Sequence, residues 1–240
     1  MKREDVFYNL ELSFHFYFKE VFCKKYGFYD SKEKKIQRVV KNKKYQLEDG
    51  IFLTDGNGNA ELNVYVSTES NSNCDYKYNF SDNTISFSSS KSNVTIRYNV
   101  INVDIVSSYP YGKSDDFERQ MIAITIDNFY SKPFDVTGKI HRWNVPFIVD
   151  MFLFNRTIRN KIGSAAGIMF KSISMPIIDF ANNGIINKDG TFNKDFSFKN
   201  NAVAYIDKFG NISIESRDME SLDKKKMYSC SVFGDISVNF

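Results

Sequence analysis

Short runs in which apolar and polar residues alternate one by one, broken by Gly and Asn, constrain this chain more than any other feature. Leu62-Asn63-Val64-Tyr65-Val66 and Val203-Ala204-Tyr205-Ile206 repeat every two residues, as a pleated strand with one buried face does. Asp55-Gly56-Asn57-Gly58, Asp189-Gly190 and Phe209-Gly210-Asn211 stand between such runs and offer residues that enter positive φ at little cost. The pattern predicts antiparallel hairpins and a mainly β (α+β) fold, a sandwich or barrel-like set of sheets. The 23 Phe and 14 Tyr of the 240-residue chain point the same way, because aromatic side chains fit a half-buried pleated surface.

Strands are expected at 76–80, 84–88, 94–105, 168–173, 185–186, 202–206, 211–215 and 227–238, with a hairpin joining 50–54 to 61–68. The run 121–126, apolar but for Thr125, suits a strand buried on both faces. Segment 8–23 reads two ways. Leu10, Leu12, Phe14, Phe16 and Phe18 alternate as in a strand, which is the preferred reading. Phe7, Leu10, Phe14, Phe18 and Val21 also keep helical spacing, followed by Lys24-Lys25 and Gly27 as a helix end would be. One amphipathic helix is expected at 146–162, capped by Asn144, opened by Pro146 and stopped by Gly163. Its stripe includes Phe147, Met151, Phe152 and Phe154, which are the candidate subunit-contact residues. Tyr109-Pro110-Tyr111-Gly112 breaks the pattern and predicts two regions, 1–110 and 116–240.

Cys23, Cys74 and Cys230 are too few and too scattered for a disulfide framework or a zinc knuckle. Glu4 and Asp5 follow Lys2-Arg3, where the apolar core of a signal peptide should begin. No stretch has the length and apolarity of a membrane-spanning helix. The expectation is synthesis in the cytoplasm, with no membrane partner.

Charge is uneven. Between Lys19 and Lys44 ten basic residues stand against three acids, an excess of +7 in a chain whose total is +3. Lys24, Lys25, Lys34, Lys35, Arg38, Lys41, Lys43 and Lys44 are the candidate contacts to nucleic acid or an acidic partner. Six such cations on duplex phosphates would give a log–log salt slope of about −5. A solvated basic face is the competing reading, since no base-reading motif accompanies the block.

Motifs that carry chemistry are not found. Gly112-Lys113-Ser114 has Ser107 where a phosphate-binding loop needs its first Gly. Asp55-Gly56-Asn57-Gly58-Asn59 opens like a calcium loop but continues with Ala60 and Val66 in place of the required Gly and Glu, so it reads as a hairpin turn. Asp30, Glu33 and Lys35, or Asp104, Glu118 and Lys139, have a spacing suggestive of a metal-dependent nuclease, yet such sets arise freely in a chain with 25% charged residues. His15 lies among aromatics, where a structural histidine is the usual outcome. The sequence predicts no catalytic residue, cofactor or metal, and no enzyme.

The Gly-punctuated segments 185–192 and 202–214, including Ala204-Tyr205-Ile206-Asp207-Lys208-Phe209-Gly210-Asn211-Ile212-Ser213-Ile214, resemble structural proteins of tailed bacteriophages from AT-rich hosts. The likeness covers mainly the C-terminal third and transfers no functional residue. It implies a homo-oligomeric virion subunit close to DNA and to other assembly proteins, such as a neck or tail ring protein of a crAss-like phage. The alternatives are a nucleic-acid-binding or host-inhibitory counter-defence protein and, behind it, an enzyme with a dispersed active site.

Overall fold

Aromatic residues four apart, not two apart, organise the start of the chain. In the computed structural model, which describes residues 3–71, 73–107, 119–126, 130–133, 141–172, 175–220 and 226–239, helix α1 (Arg3–Phe16) runs into a π-helical turn (Tyr17–Phe22) and a short α2 (Cys23–Tyr26). Leu10, Phe14 and Phe18 are fully buried, whereas Leu12 and Phe16, which a strand would turn to the same side, are only half-buried. The strand reading of 8–23 is thus corrected to helix: burying every fourth residue outweighs a fortuitous alternation. Gly27 ends α2 at φ 76, the left-handed conformation that closes a helix.

The chain divides into two compact units that interleave along the sequence. A short-sheet unit comprises Lys19–Asn102 and Phe180–Asn201; a long-sheet unit comprises Met1–Phe18, Val103–Asp179 and Ala202–Phe240. The break expected at 109–116 falls outside the described residues, and neither unit is a single span such as 1–110 or 116–240.

The short-sheet unit holds β1 (Tyr29–Val39), β2 (Tyr45–Gln46), β3 (Val64–Ser67), β4 (Lys77–Asn79), β5 (Thr84–Ser86) and β6 (Lys91–Ile101). They form two three-stranded antiparallel sheets, ordered β1-β6-β3 and β2-β5-β4. Val64, Val66, Val94, Ile96, Tyr98 and Val100 of the first share one buried cluster with Leu47, Ile85 and Phe87 around the second. The expected turn at Asp55–Asn59 is present, with the Asp55 N–H on the Asn59 carbonyl at 3.0 Å. Gly58 has φ +89, and a Cβ there would stand 2.6 Å from Cβ of Phe198, so both backbone and space exclude a side chain. Left-handed Asn42, Asn83 and Asn93 put the chain's abundant Asn to structural use at turns and irregularities.

The long-sheet unit contains β7 (Val103–Val106), β8 (Gln120–Ile126), β9 (Tyr130–Pro133), β10 (His141–Leu153), α3 (Arg156–Ser172), β11 (Pro176–Ile178), β12 (Ala202–Glu220) and β13 (Lys226–Asn239). Strand order is β11-β12-β13-β10-β8-β7, with β9 beside the start of β10, and among the described strands only β7–β8 is parallel. The helix expected at 146–162 is corrected: 141–153 is the central strand and the helix begins at Arg156. Two periods were superimposed in that run. Val145, Phe147, Val149, Met151 and Leu153 are all buried at every second position, so period two wins. Pro146 survives inside the strand because it sits where β10 changes neighbours, after Asn144 pairs Tyr130 and before Phe147 pairs Ile126. The true cap is Asn155, whose Oδ1 accepts from the N–H groups of Thr157 at 2.9 Å and Ile158 at 3.1 Å.

Two further corrections follow. Residues 168–172 of the strand expected at 168–173 belong to α3, and 202–206 with 211–215 is one strand. Gly210 marks a register shift between Gly210 and Ser213, so Phe209-Gly210-Asn211 is a bulge, not a turn. On the face shared by Phe147, Met151 and Cys230, α1 brings the Phe14 ring within 5.7 Å of the Phe147 ring. Helix α3 covers the same face, where Gly163 comes close to Cys230 and Ser216. Ile122, Ala123 and Ile124 of β8 are buried in succession, as a strand covered on both faces requires. No described helix is long and apolar enough to cross a membrane.

Candidate interaction surfaces

Several cations of the basic block already have partners within the chain. Lys24 is partly buried and donates to the Thr54 carbonyl and to Asn63 Oδ1, so it holds a loop. Burial pushes its pKa below the ordinary lysine value, opposed by Glu61, Asp55 and Glu20. Lys35 pairs with Glu33 at 3.2 Å and Lys44 with Asp82 at 2.6 Å, while Lys34 donates to the Gln46 carbonyl at 2.8 Å. Lys25 lies 5.8 Å from the Tyr26 ring and Lys43 5.7 Å from the Tyr45 ring. Arg38 and Lys41 are exposed with no side-chain partner among the described residues. Arg38, Lys41 and Lys43 are thus exposed cations whose side chains have no carboxylate or carbonyl partner among the described residues, where β1 leads into the turn before β2.

The register of β1, β6 and β3 lines up polar rows on the outer face of their sheet. Glu33, Arg97 and Tyr65 form one row and Lys35, Thr95 and Ser67 the next. A cleft of about 500 Å³ opens there, lined by Lys35, Gln37, Ser67, Glu69, Asn93 and Thr95 among others. Glu33 takes hydrogen bonds from Arg97 and Lys35, which hold its carboxyl below its ordinary value.

Asp55, which opens the calcium-like segment, serves the backbone, and so does Glu20. Asp55 Oδ1 accepts from the N–H groups of Asn57 at 2.8 Å and Asn59 at 3.1 Å, and Oδ2 from Asn59 Nδ2 at 2.8 Å. Burial raises the Asp55 pKa, but these hydrogen bonds outweigh it and the net direction is down. Glu20, buried in the π-helical turn, accepts from Leu53 N–H at 2.7 Å and Thr54 N–H at 3.2 Å. Among the described residues no three His, Cys, Asp or Glu side chains gather as a metal site would require. His15 Nε2 lies 3.3 Å from Ser107 Oγ, and burial lowers its pKa against the pull of Glu11. Gly112-Lys113-Ser114, Glu118 and Lys139 lie outside the described residues.

The candidate subunit contacts are scattered by the strand. Phe147 and Met151 are core on the helix-covered face, Phe152 packs with Met227 and Met121 on the other, and Phe154 stands exposed beyond β10. They share no surface stripe, because successive strand residues point to opposite faces.

No protein family, curated protein or solved structure matches this chain. Two features that sequence reasoning missed depend on strand pairing. Buried Arg159 donates to Asp218 Oδ1 at 2.8 Å and lies 5.8 Å from the Tyr228 ring, joining α3 to β12 and β13. The other is an edge. Along β12, β11 pairs only with Ala202–Tyr205, and from 207 to 220 no described strand lies on that side. The alternation of 202–206 and 211–215 was its only signal, and the bulge at Gly210 hid their continuity.

Proposed function

We propose that this protein is a structural or assembly subunit that works by presenting β surfaces to other chains, as a component of a phage neck or tail ring does. One observation carries the reading: the long edge of β12, which no described strand pairs from 207 to 220 and whose outward-facing N–H and C=O groups therefore have no ladder among the described residues. An open edge of that length is a template for strand addition, where main-chain hydrogen bonds provide affinity and alternate side chains provide selectivity. The engagement of Asp55 and Glu20 in holding loop backbone is consistent with a protein acting by shape. The phage assignment rests on the resemblance in the C-terminal third.

Native mass measurement and electron microscopy of the concentrated, purified chain test the proposal. Discrete particles larger than one chain support it, and a strictly monomeric chain overturns it. The second reading, nucleic-acid binding, draws on Arg38, Lys41 and Lys43; a monomer that shifts labelled duplex DNA at physiological salt would favour it.

A further inference from the structure

Building on that assembly reading, we propose that the occupant of the β12 edge is a second copy of this chain, paired antiparallel about a two-fold axis through Ser216. The side chains select this register. Glu215 and Arg217 are exposed, lie on one face of β12, and currently pair with each other, Arg217 Nη2 to Glu215 Oε2 at 2.9 Å. With the axis at Ser216, Glu215 of each copy stands opposite Arg217 of the other, the cross-strand arrangement that stabilises a ladder. One step away on either side, an axis at Glu215 sets Glu against Glu, and an axis at Arg217 sets Arg against Arg. Like charges directly opposite destabilise a pair, so the neighbouring registers that keep the helix-covered faces on the same side are disfavoured.

The ladder is regular at this register. From Ser213 to Glu220 the ladder to β13 is unshifted, so the outer edge is regular there. The two-fold register uses Ser213–Met219 of each copy and stays clear of β11, which ends its pairing at Tyr205. Charged residues on an edge ordinarily repel indiscriminate strand addition. Here Glu215 and Arg217 still do so, while admitting the one strand that complements them. Such a contact is isologous and closes as a dimer; a ring would use dimers and a separate head-to-tail contact.

Sedimentation velocity of the full chain from about 1 to 100 µM, the range of weak association constants, tests the proposal. The wild type is expected to dimerise. Glu215→Arg and Arg217→Glu each set four like charges at the seam and are expected to weaken dimerisation by about tenfold or more. An equimolar mixture of the two variants restores complementarity and is expected to form heterodimers. Circular dichroism verifies that both variants fold. Independently of any variant, amide exchange at 213–219 of the wild type should slow as concentration rises. Wild-type association untouched by both substitutions, failure of the mixture to pair, or unchanged exchange at 213–219 would each overturn the proposal and leave the assembly reading standing. A wild type that is monomeric throughout would remove both.

Discussion

Glu20 shows how a single buried residue sets a pH dependence. Its carboxylate is removed from water at 1% exposure and receives Leu53 and Thr54 N–H groups, with Lys19 Nζ at 3.4 Å from Oε1. Burial dominates and raises its pKa above the ordinary 4.5, against the attraction of Lys19 and the backbone hydrogen bonds. The folded protein then holds this proton more tightly than the unfolded chain. The resulting stability is fully present below the ordinary glutamate pKa and is lost as pH rises from 4.5 through the raised folded value. Glu20→Gln keeps an acceptor for the two N–H groups and removes the titration. Denaturant unfolding at stepped pH should therefore show the variant gaining on the wild type as pH rises above 4.5; a constant difference would contradict the argument. Glu20→Leu leaves both N–H groups unpaired and should cost about 1–3 kcal/mol for each.

At the scale of elements, two glycines on one interface separate packing from flexibility. Gly163 is inside α3, and a Cβ there would rest 3.5 Å from Cys230 Sγ and 3.6 Å from Ser216 Oγ, an ordinary contact. Gly163→Ala should stabilise the protein by up to about 1 kcal/mol through helix propensity, read as a rise in Tm. Gly234 in β13 differs: a Cβ would strike Ile212 Cδ1 and come within 2.9 Å of Phe147 Cε1. Gly234→Ala should cost about 1–3 kcal/mol, as overpacking does. If both substitutions behave alike in thermal melts, the docking of α3 and the packing of Phe147 are not as described. The same scale explains the largest misreading. Residues 145–153 are apolar enough to satisfy a helical stripe and a strand face together, and Pro146 looked like a helix opener because the junction between β9 and β8 pairing was invisible.

For the whole molecule, charge distribution matters more than net charge. Eight residues of the basic block were candidates for nucleic-acid contact, but Lys24 secures a loop and Lys35 and Lys44 sit beside carboxylates. If only Arg38, Lys41 and Lys43 meet phosphates, DNA affinity should fall with a log–log salt slope of about −3. Fluorescence anisotropy of a labelled duplex against salt measures it. A slope near the about −5 expected for six contacts would mean that the ion pairs open on binding.

Alternation and Gly/Asn punctuation were sufficient to specify a mainly β chain, the Asp55–Asn59 turn and the burial of β8 on both faces, because each depends on neighbours within a few residues. Long-range pairing decided the rest. It chose helix over strand at 8–23 and strand over helix at 145–153, by supplying or withholding a partner for each apolar face. It also merged two short strands into β12 and left much of that strand's edge without a described neighbour. A residue's local pattern states which faces can be buried, but only the assembled sheet determines which faces and edges already have a neighbour.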